Sequence, residues 1–437
     1  MNNWSSCERL SLRCRVASLF SLIGLLLIAP LPVSAQINLQ ITKEGGRSLP
    51  IAISPLQSTG GAGGQGSGDE FAEILSRDLD LSGYFRVISR GGDIGAGEGA
   101  LPEDIHFQNW SELGALALVK GTFSIEGDGL TVEVRLFDVA QKKQLGGKRY
   151  RGERRELRRM AHRFADEVML LLTGERGPFD SRIAFVSTRA GGRAKELYVT
   201  DLSGRQVTAL TRDRSLSLGP SWDPSAGLLA YCSYRSGGPY PYLLNTRTGE
   251  QTRLSSTVGY SGGRWSPDGS TIAVSLEQDG NSDLFLLTPE GRVIRRLTED
   301  SGIDVSPTWS PDGRRLAFCS GRRGGPQIYV MDVGSGNIRR LTFRGDYNTS
   351  PSWSPKGDMI AYTTRSGGFS VMVVPASGGD PRLIAPGEDP SWSPDGRYMV
   401  FSQRGRLMIA RKDGNSVKEL TRGGGDDTSP TWSPRLE

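Results

Sequence analysis

"DDTSPTWSPRLE", Asp426–Glu437, ends the chain on a Trp-Ser-Pro that elsewhere opens a recurring pattern. Trp222, Trp265, Trp309, Trp353, Trp392 and Trp432 stand 43, 44, 44, 39 and 40 residues apart. After most of them comes a Ser-Pro-Asp-Gly-like turn and then an apolar run: "LLAYCS", "TIAVSL", "RLAFCS", "MIAYTT" and "YMVFSQ". A second apolar run follows, such as "DLFLLT" or "QIYVMD", and then an Arg-Leu-Thr-like strand. Four short strands in roughly forty residues are the signature of a β-propeller blade. The turn has a mechanism: Pro pre-sets the first corner, Asp fits the second, and Gly relieves the last.

Counting the strands decides the architecture. "RIAFVS", from Arg182, has no Trp strand ahead of it, and Trp432 has no strand behind it. The two loose ends complement each other, so "SPTWSP" is predicted to supply the inner strand of the blade that begins at Arg182. A ring of six blades closed in this way leaves no open sheet edge. The tail Arg435–Glu437 is then expected at the mouth opposite the loops that precede the inner strands. Cys232 and Cys319 fall at the same position of blades two apart, beyond the ~7 Å Cα limit of a disulfide. Both are expected to be buried packing residues.

Ahead of the repeats, residues 48–175 mix helix and strand, an α/β domain. "LPIAIS" and "YFRVIS" read as strands, and "DEFAEILSRDLDLSG" as a helix closed by Gly83. "ALALVKGTFSIEGDGLTVEVRLFDV" reads as a hairpin turning at Gly127-Asp128-Gly129. Leu157, Met160, Phe164, Val168 and Leu171 recur at helical spacing up to Gly174. "GERGPFDSR" is the joint to the propeller, residues 180–437. The fold class expected is therefore an N-terminal α/β domain followed by an all-β six-bladed β-propeller closed by the C-terminal strand. With 58 Gly and 24 Pro in 437 residues, turn chemistry on this scale suits many short strands.

Residues 1–35 differ in kind. Arg9, Arg13 and Arg15 precede an apolar run from Leu19 to Ala29, and Val33 and Ala35 offer a small-residue cleavage site. This reads as a secretory signal cut after Ala35, before Gln36. The run is about half the ~20 residues that span a bilayer, and no Cys follows it to carry a lipid. The mature protein is expected to be exported and soluble. Losing Glu8 and the three arginines takes the formal charge from +5 to +3, too mild to argue for nucleic acid.

Few motifs carry chemistry. "GAGGQG", Gly61–Gly66, fits a dinucleotide fingerprint but lacks the acidic residue about 20 positions on, so it reads as a loop. "DLDLSG", Asp78–Gly83, begins like a calcium loop, yet position twelve is Ser89 instead of Glu, and it reads as a helix end. The mature chain has only His106 and His162, both outside the propeller, and no nucleophile elbow. Asp304, Asp389 and Asp427 precede inner strands and support one enzymatic alternative, an exported hydrolase or lactonase using channel carboxylates and a divalent metal. Two kinds of loop should ring one mouth. One precedes each inner strand ("GIDVS", "DYNTS", "GEDP"), and one carries Arg-Gly after the second strand ("STRAGG", "SYRSGG", "SGRRGG", "TTRSGG"). Arginine beside apolar, Tyr and Asn groups suits a protein-binding rim.

A secretory signal, a small α/β domain, six "PSWSPDG…IAF…IYV…RLT" blades and a terminal half-repeat together resemble the TolB family. That family is the periplasmic component of the Tol–Pal system of Gram-negative bacteria. The resemblance spans essentially the whole mature chain and implies a scaffold with no catalytic residue, cofactor or metal. It implies that residues 36–47 form a mobile segment that binds the C-terminal domain of TolA, through Gln36, Ile37, Asn38, Leu39, Gln40, Ile41 and Thr42. Ile37, Leu39 and Ile41 alternate, which suits an edge strand added to a partner sheet. It also implies that the propeller mouth binds the lipoprotein Pal. The residues ahead of the inner strands are then the expected contacts: Leu218, Gly219, Tyr260, Ser261, Asp304, Val305, Asn348, Thr349, Asp389 and Thr428. Through Pal the protein would sit at the outer membrane, a monomer on its own, supporting membrane integrity and constriction at division.

Overall fold

A computed structural model describes residues 48–60, 65–88, 97–259 and 263–436. Ala35, the segment Gln36–Thr42, and Tyr260 and Ser261 lie outside the described residues.

Six four-stranded antiparallel sheets follow one another along the chain. The inner strands of blades 1 to 6 are Ser217–Trp222, Arg264–Trp265, Asp304–Trp309, Asn348–Trp353, Glu388–Trp392 and Asp427–Trp432. Successive inner strands are neighbours, and the sixth returns to the first, so the ring is closed. Closure comes from the chain end: Trp432 pairs with Ile183 and Asp427 with Ser187, antiparallel, in the sixth blade.

The tryptophans explain why the repeat needs them. The indole N–H of Trp222 donates to the carbonyl of Thr431, that of Trp309 to Arg264, and that of Trp392 to Ser352. Each ring thus reaches the inner strand of the preceding blade and buries the seam between sheets. Hydroxyls one residue before the tryptophan complete the stitch: the Trp432 N–H donates to Ser391 Oγ and the Trp353 N–H to Thr308 Oγ1. The turn chemistry is as expected. Asp312 accepts the Arg314 N–H at 3.1 Å, and Gly313 takes the left-handed φ of 69°.

Pro in an inner strand cannot donate to the ladder and is tolerated at a bulge. Register shifts accordingly fall around Pro220, Pro307, Pro351, Pro390 and Pro430. The residue before each proline is left-handed, with φ of 57°, 55°, 50°, 54° and 46° at Gly219, Ser306, Ser350, Asp389 and Ser429. For the four non-glycines that conformation costs on the order of 1–2 kcal/mol each. The repeat thereby forces a kink at the height of the channel.

The α/β domain is a mixed sheet of β1 (Leu49–Ile53), β2 (Gln57–Ser58), β3 (Phe85–Ile88), β4 (Ala117–Glu126), β5 (Gly129–Asp138) and β6 (Lys143–Glu153). The order is β3-β1-β4-β5-β6, with β2 beside β4. The helices are α1 (Gln65–Ser82), α2 (Phe107–Glu112) and α3 (Leu157–Thr173). Gly83 and Gly174 end α1 and α3 with φ of 70° and 76°, where only glycine is unstrained. Gln65 and Gly66 of the glycine run open α1, while Gly61–Gly64 lie outside the described residues. Two residues on, Gly68 packs so closely that a Cβ would lie 2.1 Å from the Leu56 carbonyl oxygen. The hairpin turn is Gly127-Asp128, since Gly129 already pairs with Glu126. β6 is an addition to the sequence reading. Its glycines and charges leave no apolar alternation, because it is the mostly exposed edge of the sheet.

The α/β domain packs on the end of blades 5 and 6 that holds the Asp-Gly turns. Tyr398 Oη donates to the Ser82 carbonyl at 3.0 Å, and the Arg411 guanidinium lies 4.7 Å over the Tyr84 ring. The joint is pinned: Asp166 of α3 accepts the N–H groups of Phe179 and Asp180 at 2.8 and 3.1 Å. Arg435 donates to the Gly177 carbonyl, so the tail lies at this end. Among the described residues, nothing of the α/β domain or the tail covers the opposite mouth.

Candidate partner-binding rim and channel

At the clear mouth, the loops before the inner strands and those between second and third strands meet. Asp427 opens the sixth inner strand, fully buried, and accepts Arg189 Nε at 3.1 Å, Arg189 Nη2 at 2.6 Å and Ser187 Oγ at 2.7 Å. Blade 3 repeats the device: Arg322 Nη2 donates to Asp304 at 2.9 Å and its Nε to Ser320 Oγ at 2.8 Å. In blades 6 and 3 the Ser-x-Arg of the Arg-Gly loop is therefore a post that ties the loop to the inner strand of its own blade. Burial pushes the Asp304 carboxyl above the usual carboxylate range, against the pull of Ser320 and Arg322. The recurrence of Ser-x-Arg with an Asp ahead of the inner strand is the signal by which this pairing was legible.

The residues expected at the mouth divide by exposure. Asp304 and Asn348 are fully buried; Asn348 Nδ2 donates to Gln327 Oε1 and to the Arg344 carbonyl. They hold the rim and have no surface of their own. Leu218 and Val305 are half-buried against the blade cores, and Thr349 and Thr428 are half-buried in their strands. Gly219 and Asp389 line the channel.

The sequence reading placed the loops of Ile303 and Tyr347 at the mouth but did not name the exposed apolar side chains among the contacts. Ile303 is 60% exposed and Phe343 74%, both in rim loops, and Phe369, which opens the third strand of blade 4, is 40% exposed. Tyr347 joins them, its ring 6.4 Å from Phe369 and covered by Arg365 at 4.7 Å. An aromatic or aliphatic residue in an outer-to-inner loop was the available signal.

The channel encloses about 530 Å³ between the six inner strands and is lined by Ser, Thr, Pro and Trp. In it Asp389 of blade 5 accepts Ser350 Oγ from blade 4 at 2.7 Å and Ser429 Oγ from blade 6 at 2.9 Å. Asp304, Asp389 and Asp427 are thus not brought together: two are held by arginines and one by serines. Among the described residues, no three His, Cys, Asp or Glu stand close enough to share a metal ion. Cys232 and Cys319 are buried free thiols, and burial pushes both up to about 12. His162 lies in α3, buried between Asp78 of α1 and Asp201 of blade 6.

These features define a class: six-bladed β-propellers closed by their own C-terminal strand, with an α/β domain covering one end. Residues 170–436 match the family model described as the TolB beta propeller domain, and residues 37–145 match the TolB amino-terminal domain. The chain belongs to the TolB family. It is 38% identical over 284 residues to the "Tol-Pal system protein TolB" of Desulfosudis oleivorans, covering 64% of each chain. To that of Geobacter sulfurreducens it is 40% identical over 208 residues, 47% of this chain and 48% of the relative. The chain spans less than two thirds of the length of these curated relatives. The crystal structure of TolB from Acinetobacter baumannii is similar over 89% of this chain and 97% of that one, with a TM-score of 0.77 and 29% identity.

Proposed function

We propose that this protein is a non-catalytic periplasmic scaffold of the Tol–Pal system. It binds a Pal-type lipoprotein at the open propeller mouth and the C-terminal domain of TolA through residues 36–42. The observation that carries the reading is the clear mouth bearing Ile303, Phe343 and Phe369, with the α/β domain packed at the other end. Exposed aromatics beside arginines, on loops posted rigidly to the inner strands, are the usual composition of an interface core. Membership of a family whose relatives are Tol-Pal system proteins supports the choice of partners.

The two sites are linked: occupancy of the mouth shifts residues 36–47 between docked and free, so one partner changes the affinity of the other. Through Pal the protein supports outer-membrane integrity and constriction at division. Titration calorimetry of the exported chain with the soluble domain of a Pal-type lipoprotein, then with the TolA domain, tests this. Binding of both is expected, with TolA binding lost on deleting residues 36–47. Retention of TolA binding by that deletion would sink the N-terminal assignment, and no binding of the lipoprotein would sink the rim.

A further inference from the structure

Aligned on its tryptophan, each inner strand but one reads small or acidic residue, Pro, Ser or Thr, then Trp, as in Ser350-Pro351-Ser352-Trp353. Two residues break the pattern by charge. Asp389 replaces the small residue in blade 5, and Arg264 replaces the Ser or Thr in blade 2. Blades 2 and 5 of a six-membered ring are diametrically opposite. Both residues line the channel, so one cation and one anion stand on opposite walls of it.

Neither is neutralised by the other. Among the described residues no carboxylate lies within ion-pair distance of Arg264. Its Nη1 donates to the carbonyls of Pro220 at 3.2 Å and Gly263 at 3.5 Å, and its other N–H groups have no acceptor among the described residues. Both Asp389 oxygens are taken by serines. Burial lowers the guanidinium below its ordinary value while Asp389 works against that, yet an arginine stays charged in proteins. Thr308 and Ser391, at the position of Arg264, stitch adjacent blades, and Arg264 gives up that bond. A guanidinium with N–H donors unpartnered among the described residues, in a cavity large enough for a small ligand, is placed to take an acceptor.

We propose that Arg264 is the receptor of an anion site in the propeller channel, taking a single carboxylate group that enters from the open mouth. A guanidinium fork matches a carboxylate with two parallel hydrogen bonds. The negative charge of Asp389 on the far wall favours a monoanion over a dianion such as phosphate. The site stands independently of the partners assigned above.

The test uses the exported full-length chain, ¹⁵N-labelled at arginine, titrated with N-acetylglutamate amide, which carries one carboxylate, and separately with inorganic phosphate. The Arg264 Nε–H resonance is identified by its loss in Arg264→Ser. That variant restores the residue type of the other blades and is expected to fold with an unfolding midpoint at or above wild type. The carboxylate should move the resonance saturably, and Arg264→Ser should bind it roughly ten- to hundredfold more weakly. Asp389→Ser should bind it more tightly. An unmoved resonance, or equal binding by Arg264→Ser, overturns the site; phosphate binding as well as the carboxylate overturns its class. The Pal-type domain then separates the sources. Weaker binding of that domain to Arg264→Ser places the carboxylate on the partner, whereas unchanged binding, with the small carboxylate still lost, assigns the site to a free ligand.

Discussion

The indole N–H of Trp432 donates to Ser181 Oγ at 2.8 Å, joining residues 251 positions apart at the seam of the sixth blade. Beside it the Ser433 N–H donates to the Arg182 carbonyl at 2.8 Å, and the Arg182 N–H to Ser433 Oγ at 2.9 Å. Trp432 is buried, and its strand also accepts the Trp222 indole through Thr431. Truncating Trp432 to Ala should lower stability by about 3–5 kcal/mol in urea unfolding. Deleting residues 428–437 should leave two open blade edges and an aggregating chain. A deletion that unfolds at the wild-type midpoint would refute closure as the source of stability.

Arg189 and Asp427 form the second seam contact. Removing the arginine strands a fully buried carboxylate, so Arg189→Ala should cost about 3–5 kcal/mol. The double variant Arg189→Ala/Asp427→Asn should recover part of that loss. A double-mutant cycle with no coupling energy would show that the pair is incidental.

His162 predicts a pH dependence. Burial lowers its affinity for a proton, but the charges and hydrogen bonds of Asp78 and Asp201 outweigh burial and raise it to about 10. Its folded value lies above the ~6.5 of an unfolded histidine. The stabilisation is therefore complete below pH ~6.5 and is lost as pH rises towards 10, at no more than about 1.4 kcal/mol per pH unit. Urea midpoints from pH 6 to 10 should fall for the wild type and flatten for His162→Gln (pH range set by about 6.5 and about 10). Because Asp201 belongs to the propeller and Asp78 to α1, the α/β domain should loosen first, read by proteolysis at the joint.

The rim separates stability from binding. Phe343→Ser and Ile303→Asp alter exposed side chains, so unfolding midpoints should stay within about 0.5 kcal/mol of wild type. Affinity for a Pal-type domain should fall about tenfold or more if these residues are its anchors. Unchanged affinity in both would move the contact to another sector of the mouth.

Much of this architecture is written in local chemistry. Pro and Gly at fixed offsets make the Asp-Gly turns, Gly83 and Gly174 stop helices, and a tryptophan every ~40 residues reports a repeated seam. The edge strand β6 escaped because an exposed edge needs no apolar period. Asp304 and Asn348 look like rim contacts in sequence, but their burial depends on Arg322 and Gln327, brought in by a neighbouring strand pair.

By itself, then, the sequence determined that there are six blades and that the terminal "SPTWSP", Ser429–Pro434, closes them, since both follow from counting periodic, self-contained units. Only the tertiary structure decided what those units present. It set Arg264 opposite Asp389, buried His162 between two aspartates of different domains, and turned Phe343 outward. Each of these is a relation between residues far apart in the chain, governed by burial and by charge across a gap, and no local pattern encodes it.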